Sequence, residues 1–375
     1  MYKFKFPCFK NNHLFIYKLL FVIFFNSFIL LNTLFAQSQT KSVSPKKKYS
    51  STFFTDFGKE ANKQIPSLGA FLVWQKDALI YEGYFHHQNK NSLFDVKSVT
   101  KSVLSSIIGA ARYRGYISNL DTLVKNFFPE YVRHYPTQKD FEKESWEDAD
   151  SALFQLTFRH LLTMQTGFDF IENSSVSHAY GNSSDPIKFT LELPFNEDPG
   201  EKFNYCSPGA HLAAEILSRS IKMNILDFAD STIFKPAGIK LGKWPVDAKG
   251  RYLGASGMQF TAQDMIKFGF LYLKKGNVNG KQILPEQWIK ESTAKQVELN
   301  NWDVLPGANG YGYFWWRRKV NGHQIYIASG YGGQLICVIP DLDMVIATAC
   351  TLGDNNRGRS EIKRLHLLID KIIND

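Results

Sequence analysis

A serine three residues ahead of a lysine puts a hydroxyl and an amine on one face of a helix, about one turn apart. An amine so placed can take the hydroxyl proton while the oxygen attacks a carbonyl. The chain holds five such pairs, beginning at Ser38, Ser44, Ser98, Ser292 and Ser360, so spacing alone selects none of them. Their settings differ. Ser38 and Ser44 fall in a polar, lysine-rich N-terminal stretch, while 292-STAK-295 and 360-SEIK-363 read as polar helical surface. Only 98-SVTK-101 opens an apolar run at helical spacing, Val99, Val103, Leu104, Ile107, Ile108 and Ala111, which stops at Gly115. Apolar surroundings disfavour a charged amine, which suits it to accept a proton. The competing account is a capping serine beside a snorkelling lysine. Ser102, Ser105 and Ser106 read as small packing residues of the same helix, and Lys97 as a solvated neighbour.

Other chemistries lack their residues. No G-x-S-x-G elbow occurs, which disfavours one large hydrolase class. Gly330, Gly332 and Gly333 follow a strand with no P-loop lysine, and no CxxC or HExxH spacing is present, so neither a cofactor nor a metal is expected. The formal charge of +9 is concentrated: residues 1–50 carry eight lysines and no acid, leaving 36 basic against 35 acidic residues beyond them. A body so nearly neutral is not expected to bind nucleic acid.

The elements that would hold Ser98 come from both ends of the chain. The runs 68-LGAFLVW-74 and 79-LIYEGYF-85 flank Gln75-Lys76-Asp77 as a β-hairpin; 311-YGYFWWRR-318 and 323-HQIYIAS-329 flank Asn321-Gly322, and 334-QLICVIP-340 and 343-DMVIATAC-350 follow. Between them the pattern is helical, at 157-TFRHLLTM-164, 208-PGAHLAAEILSRSI-221 and 261-TAQDMIKFGFLYLKKG-276, and a last amphipathic helix covers about 359–373. These runs predict an α+β fold: an antiparallel sheet from both ends, about 51–115 and 305–375, flanked by helices, with a mostly helical insertion over about 116–304 and a cleft at their junction.

In that frame, 98-SVTKS-102 resembles the nucleophile motif of the serine β-lactamase and penicillin-binding-protein superfamily. Its class C and esterase-like branch is also resembled, in order, by 156-LTFRHLLTMQTGFDF-170, 199-PGEKFNYCSPGAHLAAEIL-217 and 328-ASG-330, so the likeness runs from about 68 to 350. The resemblance implies that Ser98 is the nucleophile and that Lys101 and Tyr205 are its proton-transfer partners. It further implies an oxyanion hole from the backbone N–H groups of Ser98 and Tyr331, and substrate contacts from Ser207, Ser329 and Gly330. Two positions depart from the branch: Ala328 stands where it has a lysine, and Ser207 where it has an asparagine. The lysine helps bind a substrate carboxylate, so weak β-lactam turnover is expected. The 328-ASGYGGQ-334 stretch is most similar to the 6-aminohexanoate-oligomer hydrolase and esterase subgroup.

The expected function is therefore an exported serine hydrolase cleaving a small-molecule or peptide-like ester or amide through an acyl-Ser98 intermediate. A cell-wall D-alanyl peptidase or weak β-lactamase is the alternative within enzymes, and a non-catalytic binding protein the alternative outside them. Export is read from Lys3, Lys5 and Lys10 ahead of the apolar run Leu14 to Leu31, which closes at 33-TLFAQSQT-40. Residues 1–36 are thus expected to be a signal peptide, 37–50 a flexible linker and 51–375 the hydrolase domain. The part beyond Lys18, Leu19 to Leu31, is short for about 30 Å of hydrocarbon, which favours cleavage near Ala36 and a periplasmic or secreted protein over a retained anchor.

Overall fold

The computed structural model describes residues 49–50, 52–132, 152–299, 305–351 and 358–374. The expected signal segment and all of the expected linker except Tyr49 and Ser50 lie outside the described residues. Tyr49 is packed: its hydroxyl donates to the Ile372 carbonyl at 3.1 Å and its ring lies 4.8 Å from those of Phe53 and Phe54. Among the described residues no helix is long and apolar enough to cross a membrane.

Eight strands form one antiparallel sheet: β1 (Leu68–Gln75), β2 (Ala78–Tyr84), β3 (Val297–Glu298), β4 (Ala308–Tyr311), β5 (Trp316–Val320), β6 (His323–Gly330), β7 (Gln334–Ile339) and β8 (Met344–Cys350). Their order is β2-β1-β8-β7-β6-β5-β4-β3, so the first hairpin closes onto the last strand, Leu68 opposite Cys350 and Gln75 opposite Met344. The hairpin turns are the expected ones. Lys76 and Asp77 both have positive φ, as do Asn321 and Gly322, which matches the twist of two-residue hairpins.

Strands β1, β7 and β8 are buried along their whole length, which is why they read as continuous rather than alternating apolar runs. Helices cover both faces. Helix α1 (Phe53–Gln64) sets Phe57 edge-on to Phe71 at 4.8 Å, and α6 (Gly358–Asn374) places Leu365 over Gly333 and pairs Asp370 with Arg318. On the other face lie α2 (Val99–Tyr113) and α5 (Ala262–Leu273), the latter capped by Thr261, whose side chain accepts the Asp264 N–H. Two further helices support the cleft: α3 (Phe158–Leu162), closed by a capping box between Thr157 and His160, and α4 (Ser207–Ile221).

Two readings of the sequence need correction. The run 311–318 is not one strand: β4 ends at Tyr311 and β5 starts at Trp316, with Phe314 in left-handed backbone between them. The break serves tertiary hydrogen bonds, from Phe314 N–H to the Leu162 carbonyl at 3.0 Å and from Ser102 Oγ to the Phe314 carbonyl at 2.6 Å. Ser292 is not surface either; it ends the helix Glu286–Ser292 fully buried, and its carbonyl accepts the Tyr313 N–H at 2.9 Å.

Candidate active site

The chain enters α2 through a strained turn. Phe94–Asp95 pairs with Gln259–Phe260, and Val96 N–H donates to the Met258 carbonyl at 2.9 Å. Lys97 then has φ +50°, and left-handed backbone at a non-glycine residue costs on the order of 1–3 kcal/mol. Asp95 holds it there, accepting the Lys97 N–H at 2.9 Å and its Nζ at 2.7 Å. Lys97, expected to be a solvated neighbour, is thus the ion-paired residue that aims Ser98.

Ser98 occupies the N-cap position of α2, yet its side chain caps nothing. Its hydroxyl instead accepts from Lys101 Nζ at 3.0 Å. Lys101 does not snorkel: it is 1% exposed, and Nζ also donates to Ser207 Oγ at 3.2 Å and to the Ala255 carbonyl at 2.8 Å. An ammonium has three hydrogens to place, and three oxygens surround Nζ. A cation formed by proton transfer from Ser98 would therefore stay hydrogen-bonded at the moment of attack, which a buried charge requires.

The end of β6 closes the site. A Cβ on Gly330 would stand 2.3 Å from the Val96 carbonyl oxygen, so only glycine lets the strand approach the turn before Ser98. The backbone N–H groups of Ser98 and Tyr331 donate to no backbone acceptor among the described residues. Ser98, Ser329, Gly330 and Tyr331 all line one cleft of about 320 Å³, which is at the lower end of the range for small-molecule sites. Ala328 does not reach it; the side chain is fully buried in the sheet.

Tyr205 lines the same cleft. It is held by the segment that runs through α3: Asn204 N–H donates to the Met164 carbonyl at 2.7 Å, and Asn204 Nδ2 to the Phe168 and Phe170 carbonyls at 3.0 Å each. Its ring stacks on Trp316 at 5.6 Å and lies 4.8 Å below Lys101 Nζ. No hydrogen bond joins its hydroxyl to Ser98 or Lys101 among the described residues. Ser207 behaves otherwise than expected. It does not line the cleft; its hydroxyl serves Lys101, and its N–H donates to Glu172 Oε1 at 2.9 Å.

The sequence reading missed Ile171, Glu172, Asn173, Trp316 and Ile362, all of which line the cleft. Among the described residues Glu172 is the one charged member of that lining, and no basic side chain belongs to it. No signal short of the fold marks these positions, because they come from a loop, a strand and the last helix. Cys206, next to Tyr205, does not compete as a nucleophile: it is buried, and desolvation pushes its thiol up to about 12. Among the described residues no histidine lines the cleft.

The sequence matches the Beta-lactamase family over residues 54–371. The chain belongs to the Beta-lactamase family. Its fold is similar to those of a candidate 6-aminohexanoate-dimer hydrolase from Bacillus anthracis (20% identity, TM-score 0.66, covering 84% of this chain and 81% of that one) and a candidate beta-lactamase from Bacteroides dorei DSM 17855 (18%, TM-score 0.68, 88% and 100%). It is also similar to EstCE1, a hydrolase with promiscuous acyltransferase activity (15%, TM-score 0.68, 86% and 97%). For this Beta-lactamase family member the likenesses show the fold.

Proposed function

We propose that the protein is an exported serine hydrolase that cleaves an ester or amide through an acyl-Ser98 intermediate. The observation that carries this reading is the contact between Lys101 Nζ and Ser98 Oγ, 3.0 Å, at the floor of an accessible cleft. Ser98 Oγ attacks the substrate carbonyl as its proton passes to Lys101 Nζ. The carbonyl oxygen, now an oxyanion, takes the N–H groups of Ser98 and Tyr331, at the positive end of the α2 dipole. Collapse expels the leaving alcohol or amine, which receives its proton from Lys101 or from the Tyr205 hydroxyl. Water then repeats the sequence in reverse, losing its proton to the same pair and releasing the acid with Ser98 restored.

The lining supports a substrate class. Tyr205, Trp316, Tyr331, Ile171 and Ile362 favour an apolar acyl or leaving group, and Glu172 without a cationic partner in the cleft favours a neutral or amine-bearing substrate over a carboxylate. That disfavours β-lactams and D-alanyl peptides, whose terminal carboxylate needs a cation.

Labelling tests the reading. A fluorophosphonate probe should modify the purified protein on Ser98; Ser98→Ala should abolish labelling while Ser105→Ala, whose hydroxyl is buried away from the cleft, retains it. An adduct mapped by mass spectrometry to another serine would sink the mechanism.

A further inference from the structure

Behind the cleft, α4 carries a histidine that no step above uses. His211 is fully buried and does not reach substrate. Its Nε2 lies 3.2 Å from Asp247 Oδ2, and its Nδ1 accepts the Gly254 N–H at 3.3 Å. Those two contacts require the proton on Nε2, donated to the carboxylate.

Asp247 is itself held. Its Oδ1 accepts the N–H groups of Lys249 at 2.8 Å and Arg251 at 3.0 Å, and Arg251 Nε reaches Oδ2 at 2.8 Å. Arg251 bonds on to Asp185 at 2.6 Å, which accepts from Tyr131 at 3.0 Å. Burial alone would raise the Asp247 carboxyl, but the hydrogen bonds from His211, Arg251 and Lys249 prevail and hold it well below the usual range, so it stays ionised.

The far end of this chain of contacts is the general base. Gly254 sits so close to α4 that a Cβ would stand 2.4 Å from the Ala210 carbonyl oxygen, and the next residue, Ala255, supplies the carbonyl that accepts from Lys101 Nζ at 2.8 Å. The buried Asp–His pair does not address Ser98 directly. It addresses the backbone turn that orients the amine beside Ser98.

We propose that His211 is a positioning residue: ordered by Asp247, it fixes the Gly254–Ala255 turn, so that the Ala255 carbonyl keeps Lys101 Nζ aimed at Ser98 Oγ. The inference rests on the acyl-Ser98 reading and deepens it. Nothing in a histidine buried on a helix face would otherwise call for an ionised partner and a backbone N–H at its two nitrogens.

The test is steady-state hydrolysis of a p-nitrophenyl ester by three variants, with thermal unfolding measured alongside. His211→Leu removes both hydrogen bonds; kcat should fall about 10- to 100-fold with KM within about twofold of the parent, because Lys101 acts after substrate binds. His211→Asn keeps an acceptor near the Nδ1 position and should recover most of that loss. Asp247→Asn keeps an oxygen for the backbone N–H groups of Lys249 and Arg251 but turns an amide donor toward His211 and Arg251 Nε, which share Oδ2. This forces the other tautomer, sets Nδ1–H against the Gly254 N–H, and should match His211→Leu in kcat at nearly unchanged volume.

If His211→Leu fails to fold, Asp247→Asn decides alone. Parent-like kcat in Asp247→Asn would overturn the proposal. So would losses that follow Tm and are not recovered by His211→Asn, since those describe a packing role. A parent whose hydrolysis survives Ser98→Ala would instead overturn the acyl-enzyme reading, which keeps the two failures apart.

Discussion

Gly330 and Val96 touch through a missing side chain: the space a Cβ would need on Gly330 is filled, 2.3 Å away, by the Val96 carbonyl oxygen. Gly330→Ala must push the end of β6 off the turn before Ser98, and with it the Tyr331 N–H. Because one oxyanion donor is worth about 10²–10³-fold, kcat for an ester should drop on that scale. Far-UV circular dichroism should stay near the parent's, as β6 remains paired to β5 and β7.

Tyr205 offers a cleaner separation of chemistry from packing. Tyr205→Phe keeps the ring stacked on Trp316 and removes only the hydroxyl. Turnover should fall by on the order of 10²-fold or more with Tm unchanged. Near-normal turnover would take Tyr205 out of the proton transfers and leave it as a wall of the cleft.

Glu172 should set charge preference. Glu172→Gln still accepts the Ser207 N–H, so the start of α4 is preserved. Loss of the carboxylate should cut kcat/KM for an amine-bearing ester about 10-fold relative to its neutral analogue, the equivalent of about 1.4 kcal/mol. Nitrocefin, which carries a carboxylate, should be turned over poorly by the parent; efficient hydrolysis would contradict the substrate class.

Acid should loosen the far side of the sheet. His366 of α6 is fully buried, neither ring nitrogen has a hydrogen-bond partner among the described residues, and burial with the nearby Arg318 cation lowers its pKa from 6.5 to about 3. Asp370, on the same helix, is paired with Arg318 rather than with the ring. A depressed histidine binds fewer protons folded than unfolded, so this contribution is complete above pH 6.5 and is lost as pH falls toward about 3. Urea unfolding at pH 5 should show about 2 kcal/mol less stability than at pH 7 from this group. In His366→Leu that difference should shrink by the same amount; an unchanged pH dependence would exonerate His366.

Local pattern and spacing were enough to place much of this site. Ser98 and Lys101 lie within one turn of one helix, so their contact follows from helical geometry once the run is known to be helical. The Lys76-Asp77 and Asn321-Gly322 turns follow from the backbone those residues tolerate, and the sheet follows from the apolar runs on either side. Four motifs in order then implied the fold, which the chain has.

Tertiary structure decided which oxygens the lysine meets and what lines the cleft. Ser207 and Ala255 reach Lys101 from 106 and 154 residues away, and Ala255 does so with a carbonyl that every residue possesses and no side chain announces. Glu172, Trp316 and Ile362 meet only because a loop, β5 and α6 converge on the end of β6. The break at Phe314 answers to partners in α2 and α3 that no local propensity encodes. Sequence determined the Ser98–Lys101 contact because its geometry is local; the amine's orientation and the cleft's charge are sums of long-range contacts, and those exist only in the folded chain.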